Sequence, residues 1–320
     1  MQKIEEKISK NNTKGNGESR QEANKQLLDA ISKRLLKIAL TDGDYATDIP
    51  ALSVHRRNHI TDDIPCIYDL GLAVTIAGQK QVTAGQDVYN YGGGEALLAS
   101  VDMPVVSRVM QASPTEPYLG IMLQLNPQLV MQVASGITPA RATRDTQYRA
   151  LSKSTLDAAM LNALDRLLGL LDEPALLATV TPLVIQEIIA RLLVSPHGLH
   201  FLQLNAMGTP SRQIANCIAW LKQHYMESIS IESLADQAHM SPTTFRQHFK
   251  TIAGISPLQY IKHLRLQEAR LLMLNEGLDA STSGLQVGYE SVSQFNREYA
   301  RLFGEPPLRD IKKLREAARY

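Results

Sequence analysis

The chain has 320 residues, 44% of them hydrophobic, and 33 lysines and arginines against 32 carboxylates leave a net charge of +1. That length gives room for two domains with proper cores, and so even a charge balance excludes a protein that coats DNA nonspecifically. The two cysteines, Cys66 and Cys217, lie far apart and point to the cytoplasm rather than to a disulfide framework, and no run of about 18 apolar residues is read as a membrane span.

Residues 1–24 are polar, rich in Asn, Gly and charge, and lack the apolar core of a signal peptide, so a disordered arm is expected there. From Ala23 to Leu40 the apolar residues Leu27, Leu28, Ile31, Leu35, Leu36 and Ile38 recur at helical spacing. Thr41-Asp42-Gly43-Asp44 breaks that helix. Between Leu52 and Leu125 the pattern changes to short apolar runs parted by turn residues, such as Leu72–Ala77 before Gly78 and Ala96–Val101, as strands require. Several short strands with regular turns predict a small barrel or jelly roll, an architecture able to enclose one small ligand. Gly92-Gly93-Gly94 reads as a barrel turn, since a phosphate cradle needs a lysine and a following helix that are missing.

Past Asn126-Pro127 the chain turns helical. Ser154–Leu171 and Leu176–Val194 predict a strongly apolar hairpin whose exposed face needs a cover, either the barrel or a second subunit. Residues 195–210 form the best linker, which sets a first domain at 25–205 and a second at 206–320.

The second half holds one pattern twice: a short helix, a tight turn, and a helix with one apolar and one polar face. Ser230 caps the first short helix. Ser241 then caps a helix with Pro242 at its first position, where Phe245, Phe249 and Ile252 take one side and Thr243, Thr244, Arg246, Gln247 and Lys250 the other. After Val287-Gly288-Tyr289, Ser291 starts the second copy. There Phe295, Tyr299, Leu302 and Phe303 oppose Ser293, Gln294, Asn296, Arg297 and Arg301. Between the copies Ser256–Glu276 predicts a helix of about 30 Å at roughly 1.5 Å per residue, near the 34 Å or so that separates successive major-groove half-sites. The polar side chains of the early turns are the candidates for base edges. Lys250, Arg301 and the cap hydroxyls of Ser241 and Ser291 are the candidates for phosphates. From Thr209 onward 14 lysines and arginines stand against 11 carboxylates, an asymmetry that suits DNA.

These motifs, with Arg265-Leu266 and Ala269 in the connecting helix and Phe303-Gly304-Glu305-Pro306-Pro307 at the end, resemble the AraC/XylS family of bacterial transcription regulators over roughly Pro210–Arg315. One departure is Ser283-Gly284, where the family has an apolar residue and Ala. Because Ser and Gly form helices poorly, a less rigid second module is expected. Ser100–Val105, the Tyr89–Gly92 run and Pro114–Pro117 resemble the cupin-type N-terminal domain of one branch of that family. The resemblance implies an α+β multidomain chain: a cupin-like β-barrel with a helical hairpin that senses a ligand and dimerises, then an all-α domain with two helix-turn-helix motifs joined by a linker helix. Expected partners are double-stranded promoter DNA, a small-molecule effector, a second copy of the chain and RNA polymerase, with no membrane, no cofactor and no catalytic step.

Arg57, Cys66, Tyr89, Tyr91 and Glu95 are the candidates for ligand contact, each also readable as a surface or packing residue. His55 and His59 lack a zincin glutamate and Leu70–Leu125 contains no histidine, so no metal site is expected. A cupin enzyme fused to a DNA-binding tail and a ligand-independent DNA-binding dimer remain the alternatives.

Overall fold

The computed structural model describes residues 21–137, 149–195, 209–317 and, between them, Gly198 and Leu202. Most of the expected arm therefore lies outside the described residues, as do 138–148 and most of the linker. Helix α1 spans 21–38. It is followed by β1 (Gly43–Ala46), β2 (Leu52–Arg57), β3 (Ile64–Tyr68), β4 (Gly71–Ala77), β5 (Gln79–Ala84), β6 (Asp87–Gly92), β7 (Glu95–Ala99), β8 (Met103–Gln111) and β9 (Tyr118–Gln124). Helix α2 (Pro127–Ser135), strand β10 (Leu151–Thr155) and helices α3 (Ala158–Gly169) and α4 (Pro174–Val194) complete the first half.

The strands form two antiparallel sheets, β1-β2-β9-β4-β7-β10 and β3-β8-β5-β6. Alternation decides what each face meets. Leu72, Val74 and Ile76 of β4, with Leu52, Val54, Ile121 and Leu123, pack outward on Ile31 and Leu35 of α1 and on Leu161, Leu164 and Ile188 of the hairpin. Ala73, Leu97 and Ala99 point the other way, into the barrel, beside Val82, Tyr91 and Val105.

Two strand assignments depart from the sequence pattern. Gly43–Ala46 and Leu151–Thr155 read as a break and a helix start, yet they pair with β2 and β7 as edge strands. Their apolar content is too low to show the alternation, so backbone pairing with a neighbour decides them. Helix α4 is also a correction, because by length and composition it is apolar enough to cross a membrane. Its second half is buried at Val184, Ile188, Ile189, Leu192 and Leu193 and carries Glu187, which pairs with Arg166 and Arg191. It is thus a core helix there, while Leu176 and Leu183 in its first half stay 43% and 59% exposed.

The second half comprises α5 (Pro210–His224), α6 (Ile231–Gln237), α7 (Pro242–Ala253), α8 (Pro257–Leu271, prolonged by a π-helical end over Leu272–Glu276), α9 (Ala280–Gln286), α10 (Val292–Phe303) and α11 (Pro307–Ala317). Its first module closes the barrel: Ile214, Leu221, Leu234, Phe245, Phe249, Tyr260 and Leu264 share one core with the inward barrel residues. The Ala150 N–H donates to Ile252 O at 3.3 Å across this junction. At Gly85 in the β5–β6 turn (φ 61) an added Cβ would stand 2.4 Å from the carbonyl oxygen of Gly254, so the halves touch backbone to backbone. The second module has a core of its own, built from Leu266, Ala269, Met273, Val287, Phe295, Tyr299 and Ile311.

Candidate nucleic-acid interface

Helices α7 and α10 are built alike from their caps upward. Ser241 Oγ accepts from the Thr244 N–H at 3.2 Å and Ser291 Oγ from the Gln294 N–H at 3.3 Å, satisfying donors that a helix start leaves free. Both helices end on a left-handed glycine, Gly254 (φ 69) and Gly304 (φ 78), whose N–H closes the last turn. Phe245 and Phe249 in one, Phe295 and Tyr299 in the other, are wholly buried. Phe249 meets Tyr260 edge-on at 5.5 Å, and Phe295 meets Tyr289 edge-on at 5.4 Å. Burying four aromatic rings fixes which way the opposite faces look.

Those opposite faces carry the sequence candidates. Ser241, Thr243, Thr244, Arg246, Gln247 and Lys250 are all exposed, as are Ser291, Ser293, Gln294, Asn296, Arg297 and Arg301. Arg246 only approaches Glu232, at 3.5 Å between two exposed groups, a pair that a phosphate or base can displace. Among the described residues Lys250, Arg297 and Arg301 have no carboxylate in ion-pair range. Glu298, the one acid on α10, is neutralised: Lys262 stands at 2.7 Å, the Tyr289 hydroxyl donates at 2.9 Å and Gln294 at 3.2 Å. Burial would raise its pKa, but these partners hold it below the usual carboxylate range.

Sequence spacing did not disclose what fixes the modules to each other. Arg265 of α8 donates to three carbonyls, Tyr225 O at 2.7 Å, Glu227 O at 2.7 Å and Gly288 O at 2.9 Å. It thereby ties the linker helix to the turn of the second module, and an arginine in a helix pattern gave no sign of this. The turns correspond as well: His239 (φ 52) and Gly288 (φ 90) are both left-handed. At Gly284 an added Cβ would come 2.9 Å from Phe295, so the small residue is what lets this aromatic close on α9. Poor helix propensity there serves tight packing.

Between the two sheets lies a cavity of about 280 Å³, lined among others by His55, Arg57, Cys66, Tyr68, Lys80, Tyr118 and Gln124. Of the ligand candidates, Arg57 and Cys66 line it. Tyr91 stands behind its wall, its hydroxyl 3.4 Å from that of Tyr68. Tyr89 and Glu95 are elsewhere: the Tyr89 hydroxyl donates to Leu151 O at 3.3 Å, and Glu95 accepts from the Gly92 N–H at 2.9 Å and from Lys153 at 3.0 Å. Both brace β10 and the β6–β7 turn. Asp44 is held by His55 at 2.6 Å and Arg57 at 2.7 Å. Burial opposes its charge, yet the hydrogen bonds and charges of those two partners keep its carboxyl well below the usual range. Burial pushes the Cys66 thiol up. Among the described residues no group of three or more His, Cys, Asp or Glu could hold a metal ion. Lys80 and Tyr118 escaped the sequence reading, and His55 was weighed there only as a metal ligand, because a lining forms only when strands distant in sequence turn their inward residues together.

A family model described as the AraC-type transcriptional regulator N-terminus matches residues 48–200, and a helix-turn-helix domain model matches residues 234–313. The chain is 28% identical over 147 residues to the virulence regulon transcriptional activator VirF of Yersinia enterocolitica, covering 45% of this chain and 53% of that one. It is 32% identical over 143 residues to the RCS-specific HTH-type transcriptional activator RclR of Escherichia coli K12, covering 44% and 47%. The chain thus spans about half the length of the curated relatives it matches. Among solved structures, unsaturated fatty acid bound ToxT of Vibrio cholerae strain SCE256 aligns with a TM-score of 0.54 and 10% identity over 81% of this chain and 94% of that one. ToxT of strain O395 gives 0.56 and 11% over 81% and 96%. At that identity the agreement is one of fold. An AraC-type N-terminus followed by a helix-turn-helix domain means that the chain belongs to the AraC family of transcription regulators.

Proposed function

We propose that this chain is a sequence-specific DNA-binding transcription regulator controlled by a small-molecule effector. The observation that carries the reading is the matched exposure of α7 and α10: buried aromatics on one side and, on the other, Arg297, Arg301 and Lys250, unpaired among the described residues, with loosely held Arg246. Two such helices, spaced by α8 and its extension at about 30 Å, suit successive major-groove segments of promoter DNA. Support for an effector comes from the barrel cavity and from the ligand-bound ToxT neighbour. Effector binding shifts the populations of domain arrangements that engage DNA unequally. The work is binding, with no catalytic step.

A second copy of the chain is the natural cover for the first half of α4, which has no charged residue from Pro174 to Gln186 and exposes Leu176 and Leu183. Contact with RNA polymerase and a cytoplasmic, nucleoid-associated location accompany this role. Selection from a random duplex pool with the full chain tests it. One enriched sequence is expected, whose affinity falls in Arg246→Ala while affinity for random duplex is unchanged. Enrichment of nothing over competitor contradicts the reading.

A further inference from the structure

Among the described residues Lys80 is a cation without an anion. It sits on the inward face of β5, half-buried, and lines the cavity between the sheets. Its ammonium stands 5.4 Å from the ring centroid of Tyr68 and 5.6 Å from that of Tyr118. Among the described residues no carboxylate lies within ion-pair distance of it. The other charges of the cavity are already matched: Arg57 by Asp44, and Asp69 by Lys222 from the second half of the chain. Aromatic faces offset part of the cost of withdrawing an ammonium from water, but they leave its donors unfilled. The Tyr118 wall is built in. An added Cβ at Gly120 would stand 2.4 Å from the Tyr118 hydroxyl, so the glycine makes room for the ring to lie over the sheet beside Lys80.

We propose that Lys80 is the charge-reading residue of this cavity and that the effector is a compact organic anion whose carboxylate rests on the Lys80 ammonium. The inference rests on the effector-controlled reading above and names the effector's chemical class. A carboxylate there pairs the cavity charge that is unmatched among the described residues, accepts from the Lys80 ammonium, and places the apolar remainder against Met122 and Ile64. At interior packing density, a cavity of about 280 Å³ admits roughly a dozen non-hydrogen atoms. A neutral ligand of the same shape leaves the half-buried ammonium unpaired, which is where the discrimination arises.

The test is a thermal-shift and calorimetric series on the full chain at constant ionic strength. The probes are benzoate and hexanoate, their neutral amides benzamide and hexanamide, and the cation benzylamine. The expected result is saturable stabilisation by the carboxylates alone, lost in Lys80→Gln, largely kept in Lys80→Arg, and untouched in Arg246→Ala. Equal stabilisation by amide and acid, unchanged binding in Lys80→Gln, or no response to either carboxylate overturns the proposal. Duplex binding of Lys80→Gln without any probe, measured in parallel, separates the two readings. A wild-type chain that prefers its selected duplex but answers neither carboxylate sinks this inference alone, whereas a wild-type chain with no sequence preference sinks the DNA reading.

Discussion

Lys222 of α5 holds its ammonium 3.0 Å from the Asp102 carboxylate and bonds Asp69 as well, so that one side chain of the helical second half grips two loops of the barrel. Neither acid is idle otherwise. Asp69 accepts from Gln124 of the cavity wall at 2.6 Å, and the Asp102 carbonyl accepts from the Tyr260 hydroxyl of α8 at 2.9 Å. A continuous run of contacts thus joins the cavity wall to the linker helix. Burial works against the Lys222 charge, but its two acid partners outweigh that and raise its pKa.

Replacing Lys222 by Gln leaves two carboxylates facing each other at the junction. Because the lysine is 41% exposed, the cost is a modest one, about 1–2 kcal/mol, or a melting temperature lower by roughly 2–4 °C in calorimetry. Asp69→Asn added to Lys222→Gln costs less than the sum of the two single changes, since both remove the same pairing.

On the DNA face, Arg246→Ala or Arg297→Ala costs roughly 1–3 kcal/mol on the selected sequence and relaxes preference at the base it contacts. Lys250→Ala and Arg301→Ala weaken all duplexes alike and lower the salt dependence by about one counterion each. Filter-binding titrations over a range of salt separate the two classes.

Gly288 is fixed by geometry rather than by packing alone. At φ 90 an added Cβ would stand 2.7 Å from Met226 O and 3.0 Å from Arg265 Cζ, the residue that clamps this turn. Gly288→Ala therefore destabilises the second module by about 2 kcal/mol or more, read as a lower denaturant midpoint.

The helix-turn-helix pair was legible because its signals are local: a capping serine, aromatics four apart, a glycine past the end. The buried aromatic face and the exposed face opposite it follow from helical periodicity. The barrel was legible as strands but not as a site. Arg57 and Cys66 reached the cavity, while Tyr89 and Glu95 turned to bracing roles, because strand neighbours such as Val54 and Ile121, or Ala73 and Met122, are set by pairings that span dozens of residues. The Lys222 grip and the Arg265 clamp were hidden for the same reason. Each joins a helix to backbone or acids far away in sequence, and a lone cation on a helix reads equally as a solvated face.

Cys217 offers a check on the core of the first module. Its sulfur donates to Leu234 O at 3.7 Å, and burial pushes the thiol up to about 11. A raised thiol pKa means less thiolate at any pH below it, so alkylation by iodoacetamide at pH 8 is slower than for the unfolded chain by roughly two orders of magnitude. Mass spectrometry of the time course reads this out.

The proposed DNA binding requires two recognition helices held one turn of DNA apart by a single linker helix. Hydroxyl-radical footprinting of the full chain on its selected duplex measures that directly. Two protected segments on one face, about 10 base pairs apart, are expected, with affinity collapsing when half a turn of DNA is inserted between them. Protection of a single segment, or affinity indifferent to the insertion, contradicts it.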